Sequence, residues 1–179
     1  MLFNSIDFAI FLPVVFALYW LLNPYKIKLQ NMLVLLASYC FYAWWDGRFL
    51  SLIFISTLVD FWVGQKLGKE VQVGKRKRLL WLSVLTNLGF LGFFKYFNFF
   101  QEQFISAFSF FGQEIQGESL QIILPVGISF YTFQTLSYTI DIYRRKLEPS
   151  KDFIAFATFV AFFPQLVAGP IERATNLLP

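Results

Sequence analysis

Long apolar stretches separated by short polar connections set the plan of this chain. Six of them can be marked, over residues 6–22, 30–45, 49–67, 79–100, 120–143 and 153–168. Several approach the roughly 20 apolar residues that cross a bilayer core as a helix. No strand-like alternation of the kind seen in membrane barrels runs through them. The sixth is interrupted at Pro164 after about 11 apolar residues, or roughly 16 Å of helix, too short to span. Pro164, Gln165, Gly169 and Pro170 together predict a kink or a re-entrant turn, and a surface-lying C-terminal piece is the plainer alternative. The pattern therefore predicts an all-α, polytopic transmembrane helical bundle of five spans plus a Pro-broken or re-entrant sixth.

Composition sharpens that reading. Of 179 residues, 57% are hydrophobic and 21% aromatic, with 25 Phe and only 15% charged residues, which excludes an ordinary soluble domain. The first 22 residues lack a basic start, carry Asp7 ahead of their apolar core and offer no small-residue cleavage site, so they read as a first membrane helix. The lone Cys40 cannot form an internal disulfide and reads as a small buried hydrophobe. No repeat or linker divides the chain, so residues 1–179 form one expected membrane domain.

Charge then fixes an expected orientation. Lys26 and Lys28, the group Lys69, Lys75, Arg76, Lys77 and Arg78, and the group Arg144, Arg145, Lys146 and Lys151 occupy alternate connections, whereas residues 101–119 hold three Glu and no Lys or Arg. Basic connections stay cytoplasmic, which puts the N-terminus and the acidic loop outside. Within that loop, FISAFSFF reads as an amphipathic segment lying on the outer surface. Trp44, Trp45, Trp62 and Trp81 fall near expected span ends. GKEVQVGKRKR is not a phosphate loop, because five residues separate its glycines and Arg76 follows Lys75 where Ser or Thr is required. The basic run reads as a topology determinant facing anionic lipid, with no nucleic-acid partner expected.

One span carries chemistry that lipid would not tolerate. Wound at about 100° per residue, residues 123–146 place Tyr131, Gln134, Tyr138 and Asp141 on one stripe and Thr132, Thr135 and Thr139 on its neighbour. Phe130, Phe133, Leu136 and Ile140 take the opposite side, joined there by Ser137. Such a polar arc must face protein or a water-filled cavity. Interhelical bonding is the plain reading, and the added Gln134, tyrosines and Asp141 favour a cavity, with Gln165 as a further lining candidate. Two other ionisable residues lie within spans: Asp60 roughly 17 Å and Lys95 roughly 8 Å from the outer surface, counted at about 1.5 Å per residue. Their depths make a direct ion pair a stretch, and Lys95 can snorkel to the headgroups. Nothing suggests a metal site.

WWDGRF, GFFKYFNFF, LPVGISFYTFQTLSYTIDIYR and FFPQLVAGPIER, in this order, resemble the N-terminal part of the membrane-bound O-acyltransferase family, in its bacterial alginate O-acetyltransferase branch. The resemblance covers essentially the whole chain, and the LPVGISFYTFQ and FPQLVAGPI segments are its specific part. It implies a multi-helix membrane fold around a central tunnel, located in the bacterial inner membrane. It implies transfer of an acetyl group from a cytoplasmic donor such as acetyl-CoA to an exported polysaccharide, with periplasmic partner proteins and no bound cofactor. The polar stripe and the AGPI segment would help to build the tunnel. The family's catalytic His lies downstream of AGPI, whereas this chain contains 0 His, so no catalytic residue is assigned and the chain reads as an N-terminal fragment. A small channel or transporter component, or a non-catalytic membrane scaffold, would use the same intramembrane polar groups differently.

Overall fold

The computed structural model describes residues 4–22, 27–110, 125, 127–169 and 174. All the regular structure among them is helical: α1 (Ile6–Leu21), α2 (Ile27–Asp46), a 3-10 turn (Gly47–Phe49), α3 (Leu50–Lys69), α4 (Val73–Phe110), α5 (Ile128–Tyr143), α6 (Phe153–Ala161) and α7 (Phe163–Ala168). Two segments, Gly47–Lys69 and Val73–Ala107, are long and apolar enough to cross a membrane. α1 and the α6–α7 stretch are apolar but shorter.

Each boundary has a local cause. Ser5 opens α1 by accepting a hydrogen bond at Oγ from the Phe8 N–H (3.2 Å), and Asp7 in the first turn suits the positive end of the helix dipole. WWDGRF becomes the α2–α3 corner. There the Asp46 carboxylate accepts from the Arg48 backbone N–H (2.9 Å) and from its guanidinium (2.7 to 3.1 Å), and that guanidinium holds the carboxyl below its usual range. Asp152 caps α6 by accepting from the Ile154 N–H (2.8 Å) and the Ala155 N–H (3.4 Å). It also pairs with Lys28 at 3.6 Å, tying the start of α6 to the start of α2.

The core sits where α3, α4, α5 and α6 meet. Ile53, Val63, Leu67, Tyr138, Phe156 and Val160 are fully enclosed there. Gly64 lets α3 approach α5, because a Cβ at this position would stand 2.9 Å from the Tyr138 ring. Gly127, at φ 76, turns the chain into α5 in a left-handed conformation that other residues resist, and a Cβ there would meet the Leu166 carbonyl oxygen at 2.9 Å. Around α1, α2 and α7, Phe8, Phe11, Phe41 and Phe163 pack ring against ring at 5.3 to 6.4 Å. α1 buries no residue, and Ile6 and Leu21 are 80% and 68% exposed, which in water would be costly but in lipid is not.

Several expectations change. α4 runs on unbroken through Phe110, so the described part of FISAFSFF continues this helix and does not form a separate surface-lying piece. The reason is local: QEQFISAFSF contains neither Gly nor Pro. The 38 residues of α4 make about 57 Å of helix, well beyond a hydrocarbon core. Cys40 is exposed on α2 and is not a core residue. Trp62 and Trp81 are both about half exposed, on α3 and α4 respectively, at 49% and 52%. Leu136, placed with the apolar side of α5, is buried, whereas Phe133 on that side is 46% exposed. The expected start of the fifth span at Leu120 and the loop residues 111–119 lie outside the described residues, as does Pro170.

The interruption of the sixth segment is real but sits earlier than Pro164. The helix breaks at Phe162, whose ψ of 107 leaves the helical range, and Pro164 falls in the first turn of α7, where its missing N–H costs nothing.

Candidate functional site

Three helices each bring a pair of polar residues one turn apart to the same place. α3 contributes Ser56 and Asp60, α4 contributes Ser83 and Asn87, and α5 contributes Thr135 and Thr139; all six are buried to 1% exposure or less. Residues four apart share a helix face, so each pair projects as a unit. Asp60 Oδ1 accepts from the Ser83 hydroxyl and from Thr139 Oγ1 (3.3 Å), and Oδ2 accepts from Asn87 Nδ2 (2.7 Å). The Asn87 amide also donates to the Ser83 carbonyl (3.0 Å). Its Oδ1 accepts from Ser56 Oγ (2.6 Å) and Thr135 Oγ1 (3.2 Å). Asn87 thus uses both donors and both lone pairs, which makes it the hub of the cluster.

Asp60 is surrounded only by dipoles, because no Lys or Arg pairs with it among the described residues. Lys95 in particular is exposed on α4, its Nζ 5.6 Å from the Tyr96 ring centroid, so the Asp60–Lys95 pair is not formed. Eight residues of helix, about 12 Å, separate Lys95 from Asn87, and the Lys side chain does not turn back over that distance.

The polar stripe of α5 is inside, and most of it is partnered. Gln134 Nε2 donates to the Phe159 carbonyl (2.7 Å), and the Tyr138 hydroxyl accepts from the Ser150 N–H (3.1 Å) while its ring packs on Phe156 at 4.5 Å. Asp141 is only half-buried, near the end of α5. Gln165 is buried in α7. Ser137, the hydroxyl on the apolar side, donates back to the Gln134 carbonyl (2.8 Å) and so faces that side without an open group. The hydroxyls of Tyr131 and Thr132 are the exception: both are buried and have no partner among the described residues.

Gln134 has a specific task. Had α6 continued, the Phe163 N–H would have bonded the Phe159 carbonyl four residues back. The break at Phe162 frees both groups. Gln134 takes the carbonyl, and Ser38 of α2, itself donating to the Val34 carbonyl (2.8 Å), accepts from the Phe163 N–H at 3.3 Å. Irregular backbone inside an apolar region persists only when its freed groups are satisfied in this way.

A third polar site closes one end of the bundle. Arg76 is buried, and its guanidinium donates to the carbonyls of Leu67 and Glu70 (3.0 Å) at the end of α3 and of Ile142 (3.1 Å) and Tyr143 (2.8 Å) at the end of α5. The planar fork suits this task, since helix C-termini present carbonyls without partners and a negative dipole.

Sequence reasoning found Asp60 and the α5 stripe but missed Ser56, Ser83, Asn87, Ser38 and Arg76. The recurrence of a polar pair at four-residue spacing on three successive apolar helices was the available signal. Among the described residues no group of three or more His, Cys, Asp and Glu is placed to hold a metal ion.

No family model matches the chain, and no solved structure does. It is 41% identical over 179 residues to the probable alginate O-acetylase AlgI of Pseudomonas syringae pv. tomato, covering 99% of this chain and 34% of that protein. The probable alginate O-acetylase AlgI of Azotobacter vinelandii is 41% identical over 180 residues, with 99% of this chain and 35% of that protein covered. The peptidoglycan O-acetyltransferase of Helicobacter pylori is 34% identical over 207 residues, covering 100% of this chain and 38% of that protein. The chain spans about a third of the length of the curated relatives it matches. From end to end the chain is homologous to the N-terminal third of AlgI-type alginate O-acetylases, the branch of the membrane-bound O-acyltransferase family that its sequence resembles.

Proposed function

We propose that this chain forms the N-terminal part of a membrane O-acetyltransferase that modifies hydroxyls of an exported polysaccharide, with acetyl-CoA or a similar cytoplasmic acetyl donor. The observation that carries the proposal is the end-to-end match to proteins whose names specify two different polymers and one chemistry. Alginate and peptidoglycan share carbohydrate hydroxyls, and acetylation is common to both names. Alginate is the narrower form of the proposal, favoured by the higher identity to AlgI.

The residues suggest how labour is divided. Removing a proton from a hydroxyl acceptor near neutral pH needs a base, and this chain has no imidazole to supply one. Asp60 is occupied by three donors and enclosed. The role we assign to these helices is therefore to shape and hold the site, and proton transfer falls to other residues of the enzyme. The hydroxyls of Tyr131 and Thr132, which lack partners among the described residues, are our candidates for lining the central tunnel. Gln134, Thr135 and Tyr138 hold its wall, while Asp141 and Gln165 remain candidates at its ends. A channel or transporter component would need open hydrogen-bonding capacity along a path, and at Asp60, Asn87 and Gln134 that capacity is spent on protein.

The same proposal includes a multi-pass location in a bacterial inner membrane with the N-terminus outside, facing periplasmic partner proteins that complete the transfer. Contacts at one end of the bundle support a common side for the basic connections. Arg76 joins the ends of α3 and α5, Lys28 pairs with Asp152, and Gln65 of α3 donates to the Ser150 carbonyl. Deleting the encoding gene should remove base-labile acetyl esters from the exported polymer, and restoring the gene should return them. Unchanged ester content after deletion, measured by acetate release, would contradict the proposal.

A further inference from the structure

The ends of α3 and α4 that meet at the basic connection border an open surface cavity of ≈ 540 Å³, lined by Trp62, Lys66, Lys69, Lys75, Arg78 and Leu79, with Glu70 at its edge. The basic run is divided here. Arg76 turns inward to the helix ends, while Lys75 and Arg78 turn to the cavity. Glu70 offsets part of their charge, its Oε1 held in place by the Val71 N–H (3.1 Å) and the Gln72 N–H (3.0 Å). Four cationic side chains face one carboxylate there, which leaves the cavity net positive.

The layout along the helix axis is graded. Trp62, 49% exposed, and Leu79 lie farther into the helices, Lys66 sits one turn nearer the loop with its Nζ 5.7 Å from the Trp62 ring centroid, and Lys69 and Lys75 lie at the loop. From Trp62 to Lys69 is about 10 Å of helix, enough to cross a lipid headgroup layer of roughly 5–8 Å and reach the first methylenes. An apolar aromatic floor below a cationic rim matches a molecule with hydrocarbon at one end and phosphate at the other. A soluble phosphate would have no use for the floor.

We propose that this cavity is a binding site for the headgroup of an anionic phospholipid, with the phosphate held by Lys69, Lys75 and Arg78 and the glycerol and first methylenes laid on Trp62 and Leu79. The site is distinct from the polar cluster of α3, α4 and α5, and rests on the membrane reading but not on acetyl transfer. Its charge complementarity to the cytoplasmic leaflet is worth roughly a fivefold gain in affinity for each basic side chain near the surface.

The test uses the purified chain in neutral detergent micelles doped with phosphatidylglycerol brominated on its acyl chains, with brominated phosphatidylcholine as control. Subtracting the fluorescence of Trp62→Phe isolates the Trp62 signal. We expect saturable quenching of Trp62 by the anionic lipid at mole fractions where the zwitterionic lipid has no effect. Lys69→Ala/Lys75→Ala/Arg78→Ala should raise the half-saturation point by on the order of a hundredfold. All three side chains are exposed, so the substitutions leave the packed core intact, and Lys69→Glu alone should weaken binding in the same direction. Equal quenching by both lipids, or quenching indifferent to these substitutions, would overturn the proposal. Displacement of the lipid by micromolar inorganic pyrophosphate would overturn it as well, by making the site one for soluble polyphosphates.

Discussion

If Gln134 and Ser38 satisfy the two backbone groups freed by the break at Phe162, removing either should loosen the α6–α7 junction. Gln134→Leu keeps most of the side-chain volume but cannot donate, so the Phe159 carbonyl is left unpaired in an apolar surrounding. Gln134 is 1% exposed, which denies water access to the vacated position. An unsatisfied buried group costs about 1–3 kcal/mol, and interhelical bonds in membrane bundles fall toward the low end, so about 1–2 kcal/mol is expected. Ser38→Ala should cost about 1 kcal/mol by stranding the Phe163 N–H, which Ser38 accepts at the long distance of 3.3 Å. Both groups belong to one broken hydrogen bond. Once either is lost the junction relaxes, and the double variant should cost less than the sum of the singles by at least ~0.5 kcal/mol. Unfolding of the purified protein in detergent micelles, followed across a denaturant series, gives the four stabilities. Single variants that each cost under ~0.5 kcal/mol, or strict additivity, would refute the reasoning.

Asn87→Leu should be among the most damaging single changes, because it strands Asp60 Oδ2 and the Ser56 hydroxyl together; about 3–5 kcal/mol is expected from the same unfolding measurement, and Asp60→Leu/Asn87→Leu should recover part of it. Arg76→Met should free four carbonyls at two helix ends and cost about 2–4 kcal/mol, with Arg76→Lys intermediate because an ammonium cannot fork across both ends; protease cleavage near residues 70–72 would report the loosened junction. After Cys40→Ser, a single Cys placed at the exposed Gln103 should react with an impermeant maleimide on intact cells and one at the exposed Val73 should not, and the reverse pattern would invert the proposed orientation.

The helices were legible because an apolar run of this length has few alternatives, and the broken sixth segment because Pro and Gly punctuate it. The boundary itself was misplaced by two residues, since Pro is tolerated in a first turn and the break depends on whether Gln134 and Ser38 stand ready to receive the freed groups. α4 overran its expected end because hydropathy marks where lipid contact should stop, whereas helix termination needs a breaker, and residues 101–110 have none. The α5 stripe was legible from periodicity, yet its partners lie on α3 and α4, and one-dimensional spacing does not state which helix faces which. Arg76 was hidden for a different reason. Its neighbours in KRKR are exposed, and nothing in four consecutive cations marks the one that turns inward to the carbonyls of α3 and α5.

The proposed acetyl transfer can be measured directly. Membranes from cells carrying the gene, and from cells deleted for it, would be supplied with acetyl-CoA labelled in its acetyl group and with the exported polymer as acceptor. The account predicts hydroxylamine-labile label in the polymer only where the protein is present, lost on Asn87→Leu in proportion to folded protein. Equal labelling of the polymer by membranes lacking the protein would contradict it.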